Sequence, residues 1–227
     1  MPLSAYQILL EELSRSGVQL VAVSKTKSVG EIRSLYDLGQ RDFGENYVQE
    51  LLEKQPALPA EIRWHFIGHL QSNKVKYIAP FVFMIQSVDS LKLLLETDKQ
   101  AEKSKRTIRC LLQIHIAQEE TKFGLDESEL NDMMNTIITF RAAGKLQNVH
   151  ISGCMGMASL TADREIVRQE FGKLHAHFKK IKATLTADTV DTLSMGMSSD
   201  YPIAIEMGTT MVRIGSLLFG ERKGAHK

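Results

Sequence analysis

The sequence predicts an α/β protein of a single domain over residues 1–227, folded as a closed (β/α)8 (TIM) barrel with an extra N-terminal helix. Three observations carry that prediction. Eight short apolar bursts recur along the chain, and amphipathic stretches separate them. The bursts are apolar on both faces, as buried parallel strands are when helices cover the sheet. No G-x-G-x-x-G follows any burst, which removes the main signature of the competing open, doubly wound sheet.

The bursts are QLVAVS at 19–24, RDFG at 41–44, RWHFIG at 63–68 and FVFMIQSV at 81–88. They continue as TIRCLLQIHI at 107–116, VHISGCMGM at 149–157, DTLSMGM at 191–197 and MVRIGSLLFG at 211–220. Helical stretches such as SLKLLLETDKQAEKSK and DREIVRQEFGKLHAHFKKIKATL lie between them. In the second, Ile166, Phe171, Leu174, Phe178 and Ile181 fall close to one helical face, and Ser90 and Asp163 are suited to N-caps. Some 16 residues precede the first strand, enough for one short leading helix.

Charge and composition narrow the function. Lys and Arg number 28 against 27 Asp and Glu, a net charge of +1 without the basic stripe expected of a nucleic-acid binder. Cys110 and Cys154 stand far apart, so neither a disulfide framework nor a structural zinc site is expected, and no metal site is assigned. No run approaches the 18 apolar residues of a membrane helix. The start MPLSAYQILLEELSRS lacks the basic-then-apolar layout of a secretory signal. These features predict a reduced, cytoplasmic, single-domain enzyme or binding protein.

Barrel function sits at the carboxyl ends of the strands. There the chain reads S-K-T-K (24–27), G-E-N (44–46), G-H-L-Q (68–71), G-C-M-G-M (153–157), S-M-G-M-S-S-D (194–200) and R-I-G-S (213–216). Lys25 directly follows an apolar strand, where burial of its stem would favour a neutral amine able to condense with an aldehyde. The competing reading is a snorkelling lysine; Lys27 lies further into the loop. Gly196, Ser198 and Ser199, with Gly215 and Ser216, match the phosphate-binding position after strands seven and eight, or are simply turn residues. Asp200 is read as a helix N-cap. Arg213 lies inside an apolar strand and must be bonded to something: a ligand, or a barrel carboxylate such as Glu45 or Glu206. An aldehyde-trapping lysine, a phosphate cup and an arginine between them point to pyridoxal 5'-phosphate (PLP). His65 and His69 read as core or rim histidines rather than metal ligands, and Met155, Met157, Met195 and Met197 as core filler or as thioethers against a cofactor ring. Glu119–Gly124 reads as an exposed loop.

The runs VAVSKTK (21–27), DFGENYVQE (42–50), WHFIGHLQSNK (64–74), TKFGL (121–125), GCMGMAS (153–159), SMGMSSDY (194–201) and MVRIGSLLFG (211–220) resemble the pyridoxal phosphate-binding homeostasis proteins of the YggS/PROSC type, over nearly the whole chain and in order. The resemblance implies a barrel similar to the N-terminal domain of alanine racemase, with Lys25 holding PLP as a Schiff base. It also implies Arg213 at the pyridine nitrogen, Ser198, Gly215 and Ser216 at the phosphate, Asn46 near the ring, and Met155 stacked against it. Cys154 stands where an apolar residue is expected.

The expected function is therefore a PLP carrier in vitamin B6 homeostasis, a monomer serving PLP-dependent apoenzymes, with no catalytic residue assigned. A PLP-dependent racemase or lyase using a rim histidine such as His65 is the first alternative. Against it, racemisation needs an acid/base on each face of the cofactor. With 227 residues, the chain is expected to leave no room for the second domain that supplies the other face in the racemases. An arginine at the ring nitrogen would also weaken the electron sink. A cofactor-free lysine aldolase acting on a phosphorylated sugar is the second alternative.

Overall fold

The computed structural model describes residues 3–119 and 123–220, so Glu120, Thr121 and Lys122 of the expected loop lie outside the described residues. Helix α1 (Leu3–Arg15) leads into β1 (Gln19–Val23), and α2 (Val29–Asp37), β2 (Asp42–Glu45) and α3 (Val48–Lys54) follow. Then come β3 (Arg63–Phe66), α4 (Val75–Ile78), β4 (Met84–Val88), α5 (Leu91–Lys103), β5 (Ile108–Gln113) and α6 (Glu127–Ala142). The last third is β6 (Val149–Met155), α7 (Arg164–Thr184), β7 (Thr192–Ser194), α8 (Tyr201–Glu206), β8 (Met211–Ile214) and α9 (Ser216–Phe219). The eight parallel strands close in chain order, and β8 pairs back onto β1 with Val21 opposite Arg213.

Closure makes β1 the neighbour of both β2 and β8. Val23 sits opposite Gly44 on one side and Ala22 opposite Ile214 on the other, so Lys25, Asn46 and Gly215 emerge from adjacent strand ends. Apolar packing fills two layers. A large shell between strands and helices includes Phe43, Phe66, Phe171, Leu174 and Ile181. A small cluster of Val21, Met84, Leu111, Met155 and Met211 forms a separate core of its own. Cys110 and Cys154 belong to the outer shell, fully buried and unpaired, and burial pushes both thiols well above their ordinary range. Cys154 thus serves as the small apolar residue its position calls for.

Local signals explain most boundaries. Ser90 and Asp163 cap α5 and α7 through their side chains, as their sequence positions predict. Ser28 with Glu31 and Asp126 with Glu129 form reciprocal capping boxes at α2 and α6. The run 211–220 is not one burst: Gly215, with φ −120° and ψ −71°, ends β8 and starts α9. Strand β7 stops after three residues because Gly196, at φ +97°, turns the chain away. Asp200 occupies the N-cap position of α8 without capping it; its carboxylate accepts the Met197 N–H at 2.5 Å and closes the preceding loop instead.

Candidate functional site

The loop after β1 is a tight turn built around Lys25. Lys27 N–H donates to Ser24 O at 3.0 Å, which leaves Lys25 and Thr26 as the two central residues. Thr26 has φ +63°, a left-handed conformation that costs a β-branched residue about 1–2 kcal/mol. A buried ionic cluster holds it there. The Thr26 N–H donates to Glu50 Oε2 at 2.7 Å. Lys54 Nζ donates to Glu50 Oε2, Glu45 Oε1 and the Ser24 carbonyl at 2.8, 2.8 and 2.9 Å, and Ser24 Oγ donates to Glu45 at 2.7 Å. Glu45 is fully buried, and desolvation raises its pKa despite the bonds from Lys54 and Ser24. In half-exposed Glu50 the balance reverses: desolvation is outweighed by Lys54 and the Thr26 N–H, and its pKa falls.

The opposite wall comes from the ends of β7 and β8. Gly215 N–H donates to Ser198 Oγ at 3.4 Å, a long bond that keeps the two loops adjacent. A Cβ on Gly196 would come within 2.6 Å of the Ala204 Cβ, so only glycine lets this loop lie against α8. Arg213 is 4% exposed; its Nη1 donates to Ser194 Oγ at 2.6 Å and its Nη2 to the Gly156 carbonyl at 3.0 Å. Burial lowers its pKa to about 10, against the field of Asp200, so it stays charged at neutral pH. Among the described residues it forms no ion pair with either carboxylate named above. Glu45 is held by Lys54, and exposed Glu206 pairs with Arg168.

Between the walls lies a cavity of about 320 Å³ lined by Lys25, Asn46, Ser198, Arg213, Gly215 and Ser216. That volume is at the lower end of small-ligand sites. The structure thus brings together six of the seven residues singled out from the sequence. The seventh, Met155, is fully buried in the small apolar cluster, and Met157, two residues on, lines the cavity instead. Strand β6 runs through Met155, so only residues past it reach the mouth. Val23, Thr26, Ile67, Met197 and Ser199 also line the cavity, as does Lys27, which donates to the Phe219 carbonyl at 3.2 Å.

His65 is not a rim residue. It is fully buried, with Nε2 3.0 Å from Asp42 and Nδ1 2.9 Å from Gln86. His69 is exposed, 3.1 Å from Asp89 and stacked on Phe123 at 4.1 Å.

The cavity's chemistry suits a phosphorylated aldehyde. Among the described residues, Asn46 Oδ1 at its edge is buried without a hydrogen-bond partner, a polar atom that a ligand would satisfy. Gly68 lets the Asn46 loop pass, since any Cβ there would overlap the Asn46 backbone. Arg213 spends two of its five N–H groups on protein partners, and Gly215 adds a backbone free of side-chain bulk.

Fold and cavity together define a (β/α)8 barrel with a lysine on one side of its mouth and Ser198, Gly215 and Ser216 on the other. Residues 6–223 match the family described as alanine racemase, N-terminal domain. The protein of Pasteurella multocida called pyridoxal phosphate homeostasis protein is 40% identical over 212 residues, covering 91% of this chain and 88% of the relative. The human protein of that name is also 40% identical, covering 92% and 78%. PipY of Synechococcus elongatus, solved with PLP bound, superposes with a TM-score of 0.85 at 34% identity, covering 96% and 99%. Alanine racemase of Streptomyces coelicolor shares the fold, with a TM-score of 0.74 at 14% identity, and this chain covers 58% of it. The chain belongs to the family of pyridoxal phosphate homeostasis proteins.

Proposed function

We propose that this chain binds PLP in the 320 Å³ cavity and acts as a PLP carrier in vitamin B6 homeostasis. The observation that carries this reading is the convergence of Lys25, Arg213 and the Ser198–Gly215–Ser216 wall on one cavity. Bound there, PLP supplies an aldehyde that condenses with the Lys25 amine. The rest of the work belongs to the chain. The Ser24–Lys27 turn aims Lys25, Arg213 donates to the ring nitrogen, and Ser198, Gly215 and Ser216 hold the phosphate through a hydroxyl and backbone N–H groups. Asn46 orients the ring edge, and Met157 rather than Met155 is the thioether at the mouth.

A racemase or lyase needs a second acid/base facing the cofactor. The histidine named for that role, His65, lines no part of the cavity. A cofactor-free aldolase leaves the buried Arg213 without a task. Two buried, unpaired thiols suit a reducing cytoplasm, and in this reading a monomer delivers PLP to PLP-dependent apoenzymes. Among the described residues no helix is long and apolar enough to cross a membrane.

Incubation with PLP followed by borohydride should leave one pyridoxyl group on Lys25, read by peptide mass. Lys25→Ala should lose both the label and the yellow colour; a variant that binds PLP as tightly as the parent overturns the proposal.

A further inference from the structure

A file of polar side chains runs from Arg213 through the barrel interior, one residue from each of five strands. Arg213 Nη1 donates to Ser194 Oγ at 2.6 Å, and Ser194 Oγ donates to Gln86 Oε1 at 2.7 Å. Gln86 Nε2 lies 2.9 Å from His65 Nδ1, and His65 Nε2 lies 3.0 Å from Asp42 Oδ1. At the amino-terminal end of β2, Arg63 grips both Asp42 oxygens, at 2.7 and 2.5 Å. Ser194, Gln86 and His65 are wholly buried.

The two ends force one direction on the whole file. Arginine can only donate, so the Ser194 oxygen accepts from it and the Ser194 proton points to Gln86 Oε1. The Gln86 amide N–H must then point at His65 Nδ1, which leaves the proton on Nε2 to meet Asp42. Asp42 can only accept: burial opposes its charge, but hydrogen bonds from Arg63 and His65 hold its carboxyl well below the usual range. His65 fits as a neutral ring, because desolvation lowers its pKa more than Asp42 raises it, with Arg63 and Arg109 also opposing protonation. Every dipole along the file presents its negative end toward the guanidinium, and aligned hydrogen bonds in a dry interior strengthen one another.

We propose that Ser194, Gln86 and His65 are positioning residues for Arg213, a one-way relay that sets its orientation in the cavity and couples it to the Asp42–Arg63 pair at the far end of the barrel. The inference rests on the PLP reading, in which Arg213 faces the ring nitrogen.

The test compares Ser194→Thr with Ser194→Val, two variants of equal shape that differ in one hydroxyl. Each is titrated with PLP, with the visible absorption band and the nitrogen-15 signals of His65 followed together. In the parent and Ser194→Thr, ligand-free His65 should carry its proton on Nε2, and added PLP should move its signals. Ser194→Val should still take the borohydride-fixed label on Lys25, but bind PLP about tenfold more weakly, with a displaced band and an unresponsive His65. Gln86→Met should behave as Ser194→Val does. Equal affinity, band and His65 response in the Thr and Val variants would overturn the relay, as would a proton on Nδ1 in the ligand-free parent. Failure of the parent to label Lys25 sinks the PLP reading and the role assigned to the relay with it. The His65 tautomer is read without cofactor, so it separates the two failures.

Discussion

The cavity's two walls are built by opposite means. The lysine wall, at the ends of β1 and β2, rests on buried charge: Lys54 bridges Glu45, Glu50 and the Ser24 carbonyl beneath a strained Thr26. The wall at the ends of β7 and β8 rests on backbone shape, with Gly196 and Gly215 and one long bond from Gly215 to Ser198. The turn that carries Lys25, the covalent anchor of the proposed function, is held by ionic groups that tolerate little displacement. The wall proposed to hold the phosphate is instead shaped by glycines, without charged support.

That contrast can be broken most severely at Lys54. Lys54→Met leaves Glu45 buried without its cation and should destabilise the fold by about 3–5 kcal/mol in denaturant unfolding, with slower trapping of PLP by Lys25. On the other wall, Gly196→Ala meets both a left-handed backbone and the Ala204 Cβ; a loss of about 1–3 kcal/mol is expected. Ser198→Ala should change stability by less than about 0.5 kcal/mol, yet weaken PLP more than it weakens pyridoxal, which lacks the phosphate. Equal losses for both ligands would remove Ser198 from the proposed phosphate contacts. The smallest effect lies at the far end of the barrel. The folded-state pKa of Asp42 is depressed, so its contribution is complete above its ordinary value of 3.8 and fades as pH falls through the lower, folded value. Arg63→Ala removes part of that depression, and acid unfolding should then begin at a higher pH.

The sequence made the barrel legible because each strand end carries its own punctuation: a glycine or polar triplet after an apolar run. Lys25, Ser198, Arg213, Gly215 and Ser216 could be read there, since position relative to a strand end decides what faces the mouth, while Asn46 came from the family resemblance. Depth along the barrel could not be read. Met155 and Met157 share a face by alternation, and only the length of β6 puts one inside and the other at the rim. The Lys54 cluster was also invisible, because it joins residues up to 30 positions apart through the curvature of the closed sheet. Arg213 showed the same limit: its need for partners was plain, but a serine and a carbonyl answer it rather than either carboxylate considered.

The two cysteines bear on selectivity. A thiol competes with an amine for any aldehyde, and its reactivity depends on the thiolate it can form. Cys110 and Cys154 are both sealed between strands and helices, where burial suppresses that thiolate. In the proposed PLP carrier the aldehyde thus meets nitrogen, and sulfur is withheld from it.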